Sequence, residues 1–162
     1  MVDWLRRFGR SSAPASSTPA EPVPEPAERA APGIVALFDR VTEDRSHAVL
    51  DLGPASEASL QLYSRYARWI RFADLSTGAA AVEGIDAYLS ALPANPERPY
   101  DLILGWDVLD RIRPEDRPRL IQRLTEISAP DARLYVIVDS SGKPVSHPMR
   151  FSLLGVDRMR YE

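Results

Sequence analysis

Apolar and polar residues alternate along the chain with two different periods from Gly33 onward. Spacings of three and four residues predict helices at 33–43, 58–67, 79–92 and 115–127. Compact or alternating apolar runs predict strands at 47–53, 69–75, the start of 100–109, and 132–141. Gly84 weakens the third predicted helix, whereas Pro118 falls in the first turn of the fourth, where proline is tolerated.

The order of these elements predicts the fold class. Strands that are apolar on both faces and alternate with helices form a mainly parallel sheet with right-handed crossovers. The chain is therefore expected to be a doubly wound α/β domain. Ligands bind such domains at the carboxyl ends of the strands, near the point where the strand order reverses. Residues just after each strand are the functional candidates.

The N-terminal residues differ from the rest of the chain. Residues 11–32 are almost entirely Ser, Ala, Pro, Glu and Thr, which predicts a disordered tether, so that residues 1–32 form a tail and 33–162 the domain. Trp4, Leu5 and Phe8 would share one face of a short helix. This segment is either a frayed terminus or a docking motif for a protein partner.

Composition narrows the function further. The chain of 162 residues carries a formal net charge of -3, which excludes an extended basic footprint for nucleic acid. It has no cysteine and only two histidines, His47 and His147, so no disulfide, thiol nucleophile or metal site is expected. Apolar runs are too short for a membrane span or a signal-peptide core. A cytoplasmic protein is expected.

The loop after the first predicted strand carries the first candidate site. Asp51 lies near the end of that strand, and Gly53 begins the turn into the next helix. A glycine there permits close backbone approach, and the following helix offers unpaired N–H groups. Asp74 follows at the end of the second predicted strand, where a carboxylate can accept hydrogen bonds from a ribose diol. Together these residues favour a ligand that contains a nucleoside.

Three stretches, "VLDLGPASEASL", "IRFADLS" and "YDLILGWDVLDRI", resemble the motifs of class I S-adenosylmethionine-dependent methyltransferases over about residues 47 to 141. The resemblance implies a Rossmann-like fold and S-adenosylmethionine as cofactor, with an unknown methyl acceptor. It assigns Asp107 to the reaction centre as the catalytic residue. The cofactor-binding residues it implies are Asp51, Gly53, Ala55, Asp74, Leu75 and Trp106.

Two residues depart from the family pattern. Ala55 and Glu57 replace the later glycines of the first motif, so a methyl group and a negative charge lie where cofactor would approach. An alternative function is therefore a catalytically inactive methyltransferase-like module that binds a protein partner. A nicotinamide-dependent oxidoreductase is a third reading. Asp51 disfavours it, because a carboxylate repels a pyrophosphate but attracts a sulfonium.

Methyl transfer needs a base only if the acceptor must lose a proton, since the sulfonium is already activated. Trp106 and Asp107 either face the reaction centre or simply cap the core and the next turn. Tyr63 and Tyr66 are predicted to pack in the core. Residues 142–162 are too few for the helix and two strands that the family adds, so the last strands are expected to be lacking. The chain is then a truncated fragment, which is the favoured interpretation, a minimal degenerate domain, or a domain that a partner chain completes.

Overall fold

The computed structural model describes residues 27–75, 84–140 and 149–161. These residues form a four-stranded parallel sheet with helices and a three-stranded antiparallel sheet. The strands are β1 (Ala27–Ala30), β2 (His47–Asp51), β3 (Ala67–Phe72), β4 (Tyr100–Trp106), β5 (Ser128–Val136), β6 (Phe151–Leu153) and β7 (Arg158–Tyr161). The helices are α1 (Pro32–Phe38), α2 (Glu57–Tyr66), α3 (Ile85–Ala91), α4 (Val108–Arg111) and α5 (Arg117–Glu126).

The parallel sheet has the strand order β3-β2-β4-β5. The chain leaves β2 toward β3 on one side and then returns to β4 on the other side of β2. The strand order therefore reverses between β2 and β4, and the loops after these two strands diverge. A crevice at this point is the usual ligand site of an open parallel sheet.

Helices pack on both faces of the parallel sheet at its central strands, whereas the edge strands β3 and β5 have few buried residues or none. Val49 on β2 packs with α1 and α2, whereas Ala48 and Leu50 pack with α3, α4 and α5. Two hydrophobic cores result, one on each side of the sheet. The predicted α/β class with a mainly parallel sheet is confirmed.

The antiparallel sheet has the order β1-β7-β6 and packs on the α1 and α2 side. The main-chain N–H of Leu153 on β6 donates to Ser59 Oγ on α2 at 3.1 Å. This sheet corrects one expectation, because residues 27–32 form β1 and the start of α1 instead of the end of a tail. Two short strands follow β5, but they join this antiparallel sheet, and the parallel sheet has no strand after β5 among the described residues.

Three predicted elements differ in detail from the structure. Helix α3 begins only after Gly84, whose φ of 78° lies in the region that favours glycine, and the earlier part of that predicted helix falls largely outside the described residues. In the helix predicted at 58–67, Tyr63 is buried but the apolar side chain of Leu60, three positions earlier, is 46% exposed. Strand β5 begins at Ser128 and has no fully buried residue.

No helix within the three described ranges combines the length and the apolar character that crossing a bilayer requires.

Candidate functional site

At the point where the strand order reverses, the Gly53 turn after β2 lies against Trp106, the last residue of β4. Gly53 and Trp106 are both buried. The structure therefore brings together three of the residues that the resemblance assigns to cofactor binding, Asp51 at the end of β2, Gly53 and Trp106.

Asp51 is almost completely buried, and both of its carboxylate oxygens accept hydrogen bonds from the protein itself. Oδ1 accepts from the main-chain N–H of Gly53 at 2.8 Å and from Trp106 Nε1 at 2.5 Å. Oδ2 accepts from the hydroxyl of Tyr63 on α2 at 2.6 Å. Three donors from three parts of the chain thus hold this carboxylate, which points into the core between β2, α2 and β4.

Trp106 fills the space beside the glycine turn. A Cβ placed on Gly53 would lie only 2.8 Å from Trp106 Nε1, so the absence of a side chain at Gly53 is what admits the indole. The indole stacks on Phe151 of β6, with ring centroids 5.3 Å apart and planes 1° apart. Tyr135 of β5 contacts it edge-on at 6.0 Å. The close approach that glycine permits is used here by the protein's own side chain.

Trp106 adopts an unusual backbone conformation. Its φ is 50°, in the left-handed region that a bulky residue rarely enters. Such a conformation costs on the order of 1–3 kcal/mol and persists where the surrounding structure holds it. The hydrogen bond to Asp51 and the two aromatic contacts supply that restraint.

The electrostatics of the site follow from its burial. Removal from water raises the pKa of Asp51 to about 6, even though the hydrogen bonds from Tyr63, Trp106 and Gly53 favour the ionised form. The charge of nearby Asp74 adds to the rise. A buried carboxylate with three internal donors is well satisfied, and it lacks the open side that a cationic ligand would need.

Asp74 and Leu75 follow β3 and lie beside the glycine turn. Main-chain N–H groups of Asp74 and Leu75 donate to the carbonyl oxygens of Gly53 at 3.2 Å and Leu52 at 2.7 Å. Asp74 is half-buried and has a φ of 40°, whereas the side chain of Leu75 is buried in the second core. The resemblance therefore placed both residues at the correct edge of the sheet.

Ala55 and Glu57 are both exposed at the start of α2. Ser56 caps the helix, because its Oγ accepts from the main-chain N–H of Ser59 at 3.1 Å. Glu57 accepts from Gln61 in the next helical turn instead of reaching the crevice. A small cavity of about 160 Å³ lies here, lined by Pro54, Ala55, Ser56, Arg150, Phe151, Ser152 and Arg160.

Asp107 belongs to a second polar group. Its carboxylate is buried, and Arg111 Nη2 lies 2.9 Å from Oδ1 within helix α4. The angle does not make a well-aligned hydrogen bond, so the pair is held by charge. Burial raises the pKa of Asp107, and the Arg111 guanidinium offsets part of that rise. Arg111 Nη1 also donates to the carbonyl oxygen of Leu75 at 2.9 Å.

The structure thus places the predicted residues at three separate locations. Asp51, Gly53 and Trp106 are in direct contact, with Asp74 and Leu75 joined to them through the main chain. Asp107 occupies the N-cap position of α4, but its side chain pairs with Arg111 and makes no capping hydrogen bond. Ala55 faces a different cavity.

The sequence analysis missed three side-chain contacts of the candidate residues, those of Tyr63, Arg111 and Phe151. Tyr63 is in the core, as predicted, but also donates to Asp51, a role that burial preference does not reveal. Arg111 could have been found from its spacing, because it lies four positions after Asp107 in a helix. Nothing in the sequence pattern identified Phe151, because its contact with Trp106 depends on where β6 packs.

The surroundings of Asp51 and Gly53 can be compared with those that the implied cofactor requires. S-adenosylmethionine requires an acid that is open to the ligand and a glycine turn that it can approach. In this conformation, Asp51 faces internal donors and the indole covers the turn, so these residues do not fit the group. Within the described ranges, no cluster of three or more His, Asp or Glu side chains could hold a metal ion.

Comparisons with protein-family models, with curated proteins and with solved structures returned no match.

Proposed function

We propose that the chain is a methyltransferase-like α/β domain that acts as a protein-binding module and does not bind S-adenosylmethionine. The observation that carries this proposal is the position of the Trp106 indole, which packs on Gly53 and donates to Asp51. Asp51 and Gly53, the two residues that would define the cofactor turn, are therefore both already in contact with Trp106.

The energy needed to open the crevice supports the same proposal. A ligand that reached the turn would have to displace a buried tryptophan from its aromatic and hydrogen-bonding contacts. Truncation of a buried tryptophan costs about 3–5 kcal/mol, which is a useful scale for that displacement. A cofactor that had to offset this cost would bind about a hundred- to several-thousandfold more weakly than to an open turn.

An apolar region of the surface supports the proposal that the domain binds a partner protein. Exposed apolar side chains cluster where β5, the edge strand of the parallel sheet, meets α5; they include Leu134 at 40% and Ile121 at 38% exposure. A cavity of about 370 Å³ lies between these two elements. We call the surface lined by Ile103, Ile121, Leu124, Thr125, Pro130 and Leu134 the β5–α5 groove. Grooves with an apolar lining and an exposed strand edge are common docking sites for peptides.

Ligand-dependent melting tests the proposal. S-adenosylmethionine and S-adenosylhomocysteine at 1 mM should leave the Tm of the full chain unchanged within about 1 °C. A ligand at a hundredfold its Kd would stabilise the chain by about 2.7 kcal/mol and raise the Tm by roughly 5–10 °C. A rise of that size with either compound would contradict the proposal.

The position of Asp74 favours a second candidate, a methyltransferase whose acceptor is unknown. Its main chain is bonded to the glycine turn at the tip of β3, where the family resemblance expects the ribose to be held. If calorimetry detects S-adenosylmethionine, Asp74→Ala should weaken binding at least tenfold, whereas Asp131→Ala, an exposed acid on β5, should not. Equal affinity in the two variants would remove Asp74 from the site.

A further inference from the structure

We infer that the N-terminal segment Trp4–Phe8 docks into the β5–α5 groove of its own chain. The inference rests on the proposed function only in treating this groove as a docking site. It adds the identity of one occupant, and with it a means of regulation, because a partner protein would have to displace the segment.

The groove lacks a covering element among the described residues. Strand β5 has β4 on one side only, and none of its residues is fully buried. On the α5 side, Leu134 and Ile121 expose more than a third of their surface, and Val138, just beyond β5, exposes 60%. An edge strand with an apolar face of this kind is normally covered or protected by charge.

The apolar residues of the segment suit such a groove. Trp4 and Phe8 are one helical turn apart, and Leu5 extends the same face. Asp3 precedes them at a favourable helix start, and Gly9 follows at a favourable helix end. A short helix that presents large apolar side chains one turn apart is the usual occupant of an apolar groove. The cavity of about 370 Å³ falls in the size range of sites that accept such groups.

Charge favours the same occupant. Asp131 at the rim of the groove is exposed and forms no ion pair with any residue that the structure describes. The nearby cations of α5 are already engaged, since Arg119 pairs with Asp86 and Arg123 pairs with Glu126. The rim therefore offers an uncompensated negative charge to Arg7, which would flank the apolar face of the segment in a helical conformation.

The tether is long enough to reach the groove from β1. Residues 11–26 would span about 50 Å at ~3.1 Å per residue if they were extended, as their proline content favours. A domain of this size has a radius of gyration of only about 14 Å. Covalent attachment gives the segment an effective concentration of the order of millimolar, which favours docking in the same chain over capture of a second copy.

Disulfide trapping in the full-length chain tests this inference, because the chain has no cysteine of its own. Val2→Cys is combined with Thr125→Cys in the groove, and the matched control combines Val2→Cys with Leu60→Cys, an exposed position on α2. In a glutathione buffer, the effective concentration of the groove pair should exceed that of the control pair at least tenfold.

Two further substitutions identify the contact. Trp4→Ala, which leaves the domain unchanged, and Leu134→Glu should each reduce the groove pair to the level of the control pair. Leu154→Glu, at 37% exposure in the turn between β6 and β7, should leave the preference intact. Circular dichroism confirms that each variant is folded before trapping.

Three results would overturn the inference. The first is an equal effective concentration for the groove pair and the control pair. The second is a preference for the groove pair that persists in Trp4→Ala. The third is disulfide formation between chains in proportion to protein concentration, which would identify a second copy as the occupant. None of these results depends on whether S-adenosylmethionine binds, so a failure here is distinct from a failure of the proposed function.

Discussion

At the scale of single residues, Asp51 defines the molecule's central polar contact. Its place at the end of a buried strand was predictable from the apolar run that precedes it. The direction of its carboxylate was not, because Trp106, which lies 55 positions further along the chain, supplies one of its three donors. Sequence patterns report which residues reach an edge of a sheet, but the partner of a buried carboxylate depends on how distant elements pack.

The raised pKa of Asp51 predicts how stability depends on pH. The unfolded carboxyl has its ordinary pKa near 3.8 and the folded one about 6, so the unfolded chain loses its proton first as pH rises. The contribution of Asp51 is therefore fully present below pH 3.8 and is lost by the time pH exceeds 6. That fall amounts to about 3 kcal/mol, at 1.36 kcal/mol per pKa unit.

Asp51→Asn should abolish this contribution to the pH dependence. Its amide oxygen can still accept from Gly53 and Trp106, and its NH₂ can donate to the Tyr63 hydroxyl, so the fold should be retained. Urea unfolding between pH 3.5 and 7.5 measures the effect, with Asp131→Asn on the exposed rim as the control. If Asp51→Asn and the control show the same fall, the carboxylate is not buried as described.

At the scale of elements, periodicity was most reliable where both faces of a strand or one face of a helix are buried. β2, β4 and α5 follow their predicted spans closely for this reason. Periodicity was less reliable for Leu60, whose helical stripe contains more apolar residues than the core can cover. It missed β1, β6 and β7, since strands of three or four residues are too short to show a period and depend on one another for pairing.

The link between α2 and β6 gives a prediction for these elements. Ser59→Ala removes the acceptor of the Leu153 main-chain N–H, a buried bond of 3.1 Å. An unsatisfied buried donor costs about 1–3 kcal/mol, so the free energy of unfolding should fall by that amount. Because β6 also carries Phe151, the fluorescence of Trp106 should change in the same variant.

Ser64→Ala provides the matched control on the same helix. Its hydroxyl is exposed and donates only to the Leu60 carbonyl oxygen, so its removal should cost less than about 0.5 kcal/mol. Equal losses for the two serines would show that β6 is not held to α2 through Ser59.

At the scale of the whole molecule, the described domain begins at β1 and not at Gly33. β1 pairs with β7 over four registered residue pairs, and Glu28 bridges to Arg158 and Arg160. The amino-acid composition gave the wrong boundary, because Ala, Glu and Arg occur both in tethers and in short strands and so do not distinguish the two. Only the pairing with β7 gives residues 27–30 their structure.

Two N-terminal truncations test this boundary. A chain that begins at Ala27 keeps β1 and should retain the Tm of the full chain within about 2 °C, apart from what docking of the N-terminal segment adds. A chain that begins at Ala31 loses β1, and the Tm should fall a further 3–5 °C or more for each 1 kcal/mol of lost pairing. Equal melting of the two truncated chains would place the boundary after β1.

The pairing of β1 with β7 also governs the order in which the protein can assemble during translation. Glu28 and its partner Arg158 lie 130 positions apart, so β1 leaves the ribosome long before the strand that it needs. Until Arg158–Tyr161 have been synthesised, the nascent domain can build its parallel sheet but not complete the antiparallel one. Phe151, which covers the Trp106 indole, is then held by an unfinished strand pair, and the nascent chain exposes an aromatic surface that a chaperone would recognise.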